Sequence, residues 1–304
     1  MVRKVEINYT SMVVLSQGNA EKAAIKYNYQ VVSALYLIAT PIGNLEDISL
    51  RALRLLREVQ LIAAEDTRTT RHLLNAYDIK TPVTSYHEHS KHAKLDYLLS
   101  RLKEGDVALV SEAGIPGLSD PGYKLVVAAI SCGIPVVPIP GGSAVTAALV
   151  VSGLPTDQFI YLGFLPRRRG RRQHLLSSVV GETRTMVAFE APHRFRETLS
   201  AIQEVLGDRR LAVCRELTKV HEEIFRGKVS QAREHFIEAK GEFTLVIEGK
   251  NEEEAKITEE IEKELRELFQ QGVKAKEATS RVSEVSGLSK KKLYQAWLKL
   301  KKGD

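Results

Sequence analysis

Four loops, three of which contain both glycine and proline, follow apolar segments of this 304-residue chain. They occupy residues 40–44 (TPIGN), 111–122 (SEAGIPGLSDPG), 138–144 (PIPGGSA) and 189–194 (FEAPHR). Glycine lets a backbone approach a ligand closely, and free N–H groups at a helix start bind carboxylate or phosphate. Any one loop is more often a structural turn, but four at successive strand ends favour a cofactor cleft. Because the GxxxxGK[ST] and GxGxxG patterns do not occur, the loops allow a nucleotide-like cofactor without identifying it.

A charged segment, 65–68 (EDTR), follows another apolar run and has two interpretations. In the structural one, Asp66 or Thr67 caps a helix and an arginine pairs with a carboxylate. In the functional one, charged side chains at a strand end form an acid–base cluster that faces a substrate. The sequence leaves both interpretations open.

The histidine-containing segment 86–89 (YHEH) raises the question of a metal site. Its histidines alternate and no further ligand set accompanies them, so we predict a surface loop without metal, with His87 as a candidate RNA contact. The two cysteines, Cys132 and Cys214, lie in apolar stretches and form no CxxC pair. We therefore predict buried, reduced thiols, which argue against zinc and for a reducing compartment.

Basic residues cluster at two places in a chain of net charge +6. The segment 166–172 holds five arginines, and guanidinium groups bind phosphate in a bidentate way, so we predict a polyphosphate partner there. The tail, 273–304, carries nine Lys or Arg against three Asp or Glu. A solvated charged face is the alternative for both. The predicted RNA-binding residues are Arg167, Arg168, Arg169, Arg171 and Arg172, with Lys290, Lys291 and Lys292.

The elements that would position these loops alternate between strands and helices through the first half of the chain. Apolar runs predict strands at 34–40, 60–64, 107–111 and 136–139. Periodic segments predict helices near 69–77, 91–102, 120–132 and 143–152. Another helix is expected after Asp47, as its cap, with apolar positions at Leu50, Leu53, Leu56 and Val59. This alternation predicts a mainly parallel, doubly wound α/β sheet.

The alternation restarts after a polar joint at 153–157, which predicts a second α/β domain. Its strands are expected at 159–164, 185–190, 211–215, 220–229 and 243–248, and its helices near 171–180, 195–206 and 231–240. Beyond Gly249 an acidic helical stretch at 251–268 leads into the basic tail. There Leu288, Leu293, Trp297 and Leu300 predict an apolar face, and we expect Tyr294 and Trp297 in the core. The predicted organisation is an extension at 1–33, α/β domains at 34–154 and 155–250, and a helical basic module at 251–304.

Composition and targeting signals place the chain among ordinary globular proteins, with 43% hydrophobic and 27% charged residues. No apolar run reaches the roughly 18–20 residues that a membrane-spanning helix needs, and no export signal is evident. We therefore predict a cytoplasmic protein without a membrane partner.

Taken together, these segments resemble the tetrapyrrole methylase superfamily, whose members hold S-adenosyl-L-methionine (SAM) in a cleft between two α/β domains. The matching text is 35–49 (LYLIATPIGNLEDIS), 64–68 (AEDTR), 110–116 (VSEAGIP) with 119–122 (SDPG), and 189–194 (FEAPHR). The resemblance spans about residues 35–249. Within the superfamily the chain is similar to the methyltransferases of small-subunit ribosomal RNA, whose C-terminal module the tail resembles.

This resemblance implies 2′-O-methylation of a cytidine in the decoding region of 16S rRNA, with SAM as the donor. It also implies a homodimer that acts on 16S rRNA or on the small ribosomal subunit. The chain departs from the family pattern where Glu112 replaces the usual aspartate and Ile115 replaces the usual threonine, which removes a hydroxyl and adds bulk. By motif position, the implied SAM-binding residues are Pro41, Gly43, Ala113, Gly114, Ile115, Pro116, Leu118, Gly141, Ser143, Ala144 and Phe189.

Methyl transfer from a sulfonium is an in-line displacement, so the protein must align the ribose hydroxyl and help to remove its proton. We predict that Glu65 or Asp66 accepts this proton while Arg68 holds a phosphate or the carboxylate. An alternative cluster is Glu190, His193 and Arg194. Two other functions stay open: a tetrapyrrole-type small-molecule methyltransferase, which would not need the basic clusters, and a non-catalytic RNA-binding protein, which would not need intact loops.

Overall fold

The computed structural model describes residues 33–87, 92–250, 257–286, 288 and 290–302. These residues form two five-stranded sheets, each covered by helices, followed by a helical region. The predicted fold class, two α/β domains and a C-terminal helical module, is therefore confirmed. Residues 1–32 of the predicted extension, and Glu88 and His89 of the histidine-containing segment, lie outside the described residues.

The first sheet is parallel throughout its described strands and has the order β3-β2-β4-β1-β5. Its strands are β1 (Leu35–Ile38), β2 (Leu61–Ala64), β3 (Val83–Ser85), β4 (Val107–Val110) and β5 (Val136–Ile139). β2 and β4 are buried at every position, as expected where helices cover both faces of a parallel sheet. The carboxyl ends of β2, β4, β1 and β5 therefore meet along one edge, where ligands bind in such sheets.

Helices cover both faces of this sheet, as the predicted doubly wound topology requires. They are α1 (Leu50–Glu58), α2 (Thr67–Ala76), α3 (His92–Glu104) and α4 (Tyr123–Ser131). The next helix, α5 (Ala144–Val151), packs on the second sheet. α1 and α2 place residues such as Leu56 and Leu73 in one apolar cluster. α3 and α4 place Leu98 and Leu125 in a second cluster on the other face. The two faces of the sheet are thus packed separately.

The second sheet is mixed and has the order β6-β7-β10-β8-β9. Its strands are β6 (Phe159–Phe164), β7 (Thr185–Glu190), β8 (Arg210–Arg215), β9 (Glu223–Lys228) and β10 (Phe243–Ile247). β6 and β7 are parallel, and the other described pairings are antiparallel. One face packs on α6 (Arg169–Ser178), α7 (Phe195–Leu206) and α8 (Val229–His235), with Phe195 at 0% exposure in the core.

The other face of the second sheet packs against α5, the last helix of the first α/β unit. Val145 and Leu149 of α5 share an apolar cluster with Val187 and Val246 of the sheet. Arg226 of β9 donates from Nε and Nη2 to the carbonyl of Val151, at 2.9 and 2.6 Å. A cation at a helix C-terminus is favourable because the last carbonyls lack helical partners. The helix therefore joins the two sheets through apolar packing and a charged cap.

Three helices follow the sheets: α9 (Glu259–Gln270), α10 (Ala275–Ser286) and α11 (Lys290–Lys302). They enclose a small apolar cluster of their own, which confirms the predicted roles of Leu288, Leu293 and Trp297; Leu300 packs against it. The expectation for Tyr294 is wrong, because this side chain is 46% exposed. It lies on a face of α11 that turns away from the cluster.

Several local expectations are corrected by the structure. Ser49, not Asp47, caps α1 by accepting the N–H of Ala52, because a 3-10 turn at Leu45–Asp47 precedes the helix. β3 was not predicted, because a three-residue strand with two polar residues carries too little apolar pattern. α8 ends at His235 and not at residue 240.

The cysteines differ in environment. Cys214 is buried in β8, as predicted, and burial raises the pKa of its thiol to about 12. Cys132 is exposed, contrary to the prediction, because it follows the last turn of α4 on the solvent side.

Among the described residues, no helix combines the length and the apolar character needed to cross a membrane.

Candidate active site

Three of the predicted loops meet at the carboxyl edge of the first sheet. The backbone N–H of Thr40 donates to the carbonyl of Gly114 at 2.9 Å, and that of Gly114 donates back at 3.1 Å, so the loops after β1 and β4 are paired. Gly114 has φ +85°, a left-handed conformation that glycine adopts without steric cost. A Cβ there would lie 3.5 Å from the carbonyl oxygen of Gly142, which brings in the loop after β5.

The first loop also touches the second α/β unit. A Cβ at Gly43 would lie 2.5 Å from Cγ of Lys219 and 2.7 Å from the carbonyl oxygen of Leu217. Such distances exclude any side chain larger than hydrogen unless the backbone moves. Gly43 is thus explained by close packing against the segment that follows β8.

The predicted SAM-binding residues lie in two groups. Those from the loops after β1, β4 and β5 line one edge; among them Ile115 and Leu118 are 37% and 44% exposed, whereas Pro116 is buried. Ser143 and Ala144 stand where α5 begins. Phe189 lies in β7 of the other sheet, where it packs on the apolar cluster shared with Ile42 and α5 and contacts a tyrosine. The residues that the structure brings to the edge of the first sheet are Pro41, Gly43, Ala113, Gly114, Ile115, Pro116, Leu118, Gly141, Ser143 and Ala144.

That tyrosine is Tyr161 of β6, which the sequence analysis did not single out. Its hydroxyl lies 2.8 Å from Oγ of Ser119, a residue held at φ +66° in the loop after β4. The Tyr161 ring contacts Phe189 edge-on at 5.4 Å, and Phe164 contacts the same ring at 5.3 Å. The two α/β units therefore face each other across Ser119 and Tyr161, with Phe189 behind.

Acidic side chains gather beside this contact. Burial, followed by the charge of Glu65, raises the pKa of Asp120 to about 7, while a hydrogen bond to Ser111 opposes the shift. Burial also raises the pKa of Glu65, whose Oε2 accepts the N–H of Glu112 at 3.3 Å. Asp120 was not among the predicted catalytic residues, although it stands in the SDPG segment of a strand-end loop. A carboxyl that holds a proton near neutral pH can exchange it with a substrate.

Within the segment 65–68, Asp66 fits the structural interpretation and Glu65 fits the functional one. Oδ1 of Asp66 accepts the N–H groups of Arg68 and Thr69 at 2.7 and 3.3 Å, so Asp66 caps α2. Hydrogen bonds from the Arg68 side chain and from these N–H groups lower the pKa of Asp66 to about 2. Such a weakly basic carboxylate is a poor proton acceptor. Glu65 therefore remains the candidate for the acid–base role in this segment. The side chain of Arg68 is exposed to solvent.

In the alternative cluster after β7, Glu190 and Arg194 belong to a buried structural network, whereas His193 is exposed. Glu190 and Arg194 are 2% and 9% exposed and form an ion pair. Glu190 also accepts from the Thr198 hydroxyl, and Arg194 donates to the carbonyl of Leu165 at 3.1 Å. These bonds tie the loop after β6 to the end of β7 and leave the carboxylate no open face for a substrate.

The arginine-rich segment begins α6 and lies three residues beyond Phe164. Arg167, Arg168, Arg169 and Arg171 are exposed, and the first turn of α6 holds no acidic residue. Positive charge at the positive end of a helix dipole is unfavourable and attracts an anion.

Arg172 is a correction to the predicted RNA contacts. Its side chain is 2% exposed and pairs with Glu197 at 3.3 Å. A buried guanidinium cannot reach a phosphate on a macromolecule, so Arg172 does not belong to the exposed set. Of the tail residues, Lys290 is exposed at the start of α11 and Lys292 is partly buried there; the side chain of Lys291 lies outside the described part of the structure.

Comparison with known proteins adds a family and named relatives. The family described as "Tetrapyrrole (Corrin/Porphyrin) Methylases" matches residues 34–233. Relatives named "Ribosomal RNA small subunit methyltransferase I" include one from Halalkalibacterium halodurans, 45% identical over 273 residues, covering 86% of this chain and 94% of the relative. One from Synechocystis sp. is 47% identical over 272 residues, covering 88% and 98%. One from Thermotoga maritima is 52% identical over 219 residues, covering 71% and 98%.

Solved structures show the same fold at low sequence identity. Uroporphyrin-III-C-methyltransferase from Thermus thermophilus aligns with a TM-score of 0.52 and 20% identity, covering 71% of this chain and 94% of that one. The cobalt precorrin-4 methyltransferase structure aligns with a TM-score of 0.54 and 18% identity, covering 70% and 94%.

Proposed function

This chain belongs to the tetrapyrrole methylase family, and on this basis we propose that it methylates small-subunit ribosomal RNA. The resemblance seen in the sequence is thereby confirmed, and SAM is the methyl donor. The proposed acceptor is the ribose 2′-oxygen of a cytidine in the decoding region of 16S rRNA. The main support for an RNA substrate is a set of exposed arginines beside the cleft. This set begins three residues after Phe164, and the Phe164 ring packs on Phe189 at the cleft.

The residues of the cleft fit SAM in three respects. Ile115 and Leu118 expose apolar surface suited to an adenine ring. Glu112, an exposed carboxylate of the loop after β4, offers negative charge to a sulfonium. The N–H groups where α5 begins, after Ser143, are suited to a carboxylate. When bound, SAM supplies a methyl group already activated by the positive charge on sulfur.

The chain's own task is to orient the ribose and to take up the proton of its hydroxyl. We assign the proton acceptor to Asp120, whose pKa is raised by burial and, to a smaller extent, by the charge of the neighbouring Glu65. An acceptor with a pKa near the working pH is the most effective one. Asp66 and Arg68, the earlier candidates, are assigned to the cap of α2 and to its exposed surface, where Arg68 is available for a phosphate.

Four exposed arginines are proposed to hold the RNA backbone: Arg167, Arg168, Arg169 and Arg171. Counterions released from RNA make such binding fall with salt, with a slope in log–log form of about 0.7 per phosphate contact for single strands. A salt-insensitive RNA affinity would contradict this assignment.

The proposed assembly is a homodimer that acts in the cytoplasm on 16S rRNA or the small ribosomal subunit. Its support is an apolar stripe on α4, where Tyr123, Val127 and Ile130 are 75%, 43% and 62% exposed at helical spacing. Exposed apolar patches of this kind mark interfaces.

The domain bounds, 34–154 and 155–250 with a module at 251–304, are proposed on the positions of the two sheets and the three last helices.

The test is methyl transfer from radiolabelled SAM to small subunits that lack this modification, followed by nuclease mapping of the labelled nucleotide. Label on one cytidine ribose is the expected result. Naked 16S rRNA assayed in parallel distinguishes free rRNA from the assembled subunit as substrate. If SAM binds but no RNA is labelled, the proposal fails, and a tetrapyrrole acceptor is the next substrate to assay.

A further inference from the structure

A surface pocket of about 370 Å³ lies between α10 and α11, outside the part of the chain that matches the methylase family. Its lining residues are Lys276, Thr279, Ser280, Lys290 and Tyr294. None of the five is acidic, although α9 of the same module is rich in glutamate. The pocket is therefore a locally positive site in a module of mixed charge.

Helix geometry explains how the module presents these residues. On α10, Lys276 and Ser280 are four residues apart, and on α11 Lys290 and Tyr294 are also four apart, so each pair shares a helix face. Behind them, Val282 and Trp297 are buried in the cluster that joins the helices. The pocket walls are thus held by the packed core of the module and not by a loop.

The polar atoms of the pocket are arranged to present ammonium groups. The Thr279 hydroxyl donates to the carbonyl of Ala275 at 2.8 Å, so it is engaged by its own helix. Nζ of Lys290 donates to Oγ of Ser280 at 2.9 Å, which directs the ammonium group toward α10. Lys276 is exposed on the α10 side. The pocket lining therefore includes two cations, one of which is held in place by Ser280.

Tyr294 supplies a different chemistry. The ring is 46% exposed beside the two lysines, although the sequence pattern predicted a core position. An exposed aromatic face next to cations is the combination that binds single-stranded nucleic acid, in which bases stack on the ring and phosphates contact the charges. α11 begins at Lys290, so the positive end of its helix dipole adds to the attraction for phosphate.

We propose that this pocket binds one nucleotide of single-stranded RNA, with its base on Tyr294 and its phosphate between Lys276 and Lys290. The proposal rests on the proposed function, which it extends by a second RNA contact in the C-terminal helical module. The match of 219 residues covers 98% of the relative from Thermotoga maritima, so this relative is about as long as the two α/β domains alone. It nevertheless bears the same name as the longer relatives. A role in RNA affinity, with no part in methyl transfer, is consistent with that length.

The experiment compares RNA binding by full-length variants, with a fluorescein-labelled single-stranded oligoribonucleotide as the probe. Tyr294→Leu is expected to weaken binding by about 5- to 150-fold without changing the salt slope, because base stacking carries no net charge. Tyr294→Phe keeps the ring and should bind like the wild type. The double variant Lys276→Gln/Lys290→Gln should lower the salt slope by about 0.7, because one phosphate contact is lost, and each single variant should weaken binding and lower the slope by less.

The matched control is Lys299→Gln on the same helix. Nine residues at about 100° per residue place Lys299 half a turn away from Lys290, so it faces away from the pocket. This variant should bind within about twofold of the wild type. If Lys299→Gln loses as much affinity as Lys290→Gln, or if Tyr294→Leu binds like the wild type, the pocket proposal is wrong.

Methylation of small subunits by the same proteins separates this result from the proposed function. Tyr294→Leu is expected to raise the KM for RNA, and circular dichroism of each variant reports whether the helices are intact. If the wild-type protein methylates RNA but Tyr294→Leu and Tyr294→Phe behave alike in binding, only the pocket proposal fails. If the wild type methylates no RNA, the proposed function fails, whatever the oligonucleotide shows.

Discussion

Replacing Asp120 by asparagine should make the protein more stable at alkaline pH while it removes activity. The side chain lies in the loop after β4, where burial and the charge of Glu65 raise its pKa from an ordinary 3.8 to about 7. Asparagine has the shape of the protonated acid and carries no charge. The substitution therefore removes an unfavourable, partly buried charge together with the proposed proton acceptor.

The size of the stability effect follows from the pKa shift. Because the pKa of Asp120 is higher in the folded state than in the unfolded one, the folded state binds the proton more tightly. Stability therefore falls as pH rises from about 4 to about 7 and stays low above that range. A shift of about three pKa units at 1.36 kcal/mol each sets an upper bound of about 4 kcal/mol. Because Asp120 is only partly buried, solvent screening reduces this value, and the advantage of Asp120→Asn should grow by about 1–2 kcal/mol between about pH 5 and about pH 8.5.

Urea unfolding at the two pH values measures this difference, and methyl transfer measures the activity. Loss of a general base costs about 10²- to 10⁴-fold, so kcat/KM for RNA should fall by that factor at alkaline pH. In the wild type, kcat/KM should rise with pH through an apparent pKa that belongs to the Asp120–Glu65 pair. The variant should lack this rise.

Asp66→Asn is the matched control, because Asp66 is a carboxylate in the same region whose role is to cap α2. It should lose far less activity than Asp120→Asn and should not gain stability with pH. If the Asp120→Asn variant has the same kcat/KM as the wild type at alkaline pH, Asp120 is not the proton acceptor. A stability difference that does not change with pH would show that the pKa of Asp120 is not raised.

Three further predictions test the cofactor edge, the RNA surface and the assembly. Gly141→Ala would place a Cβ 2.9 Å from a neighbouring methyl group and should weaken SAM binding by about tenfold in calorimetry, whereas Gly181→Ala, whose Cβ meets nothing within 4 Å, should not. Arg172→Met removes a buried guanidinium whose Nε and Nη1 have no partner among the described residues; it should leave RNA affinity unchanged and the protein at least as stable in urea. Val127→Glu should convert the proposed homodimer to a monomer in light scattering, because a charge cannot be buried in an apolar interface without a partner; a dimer that persists would exclude this face of α4.

Sequence patterns predicted most of the elements because the responsible interactions are local. β5, β6, β7 and α7 begin and end at the predicted residues, where apolar runs or helical periodicity stop at a turn. β3 escaped prediction because its two polar residues are accommodated at the edge of the sheet. The cap of α1 was misplaced because Asp47 and Ser49 are both good capping residues, and the preceding 3-10 turn decides between them.

For the candidate site, residue types predicted the loops but not the roles of their charged side chains. Asp66 and Glu65 are adjacent in the chain, yet one is a cap with a lowered pKa and the other faces Glu112 with a raised pKa. Asp120 stood unnoticed in a loop, because nothing in its neighbours along the chain signals burial. In the sequence Arg172 cannot be distinguished from its exposed neighbours, whereas in the structure its side chain is buried and pairs with Glu197 of α7.

The sequence by itself determined the family, the order of strands and helices, and the glycine and proline loops at their ends. These follow from short-range patterns, since a buried parallel strand needs an unbroken apolar run and a tight turn needs glycine or proline. Only the tertiary structure decided which charges are buried, which pair, and which aromatic side chains are exposed. Those properties depend on elements far apart in the chain, as when Tyr161 meets Ser119 or when Arg226 of β9 reaches the carbonyl of Val151 at the end of α5.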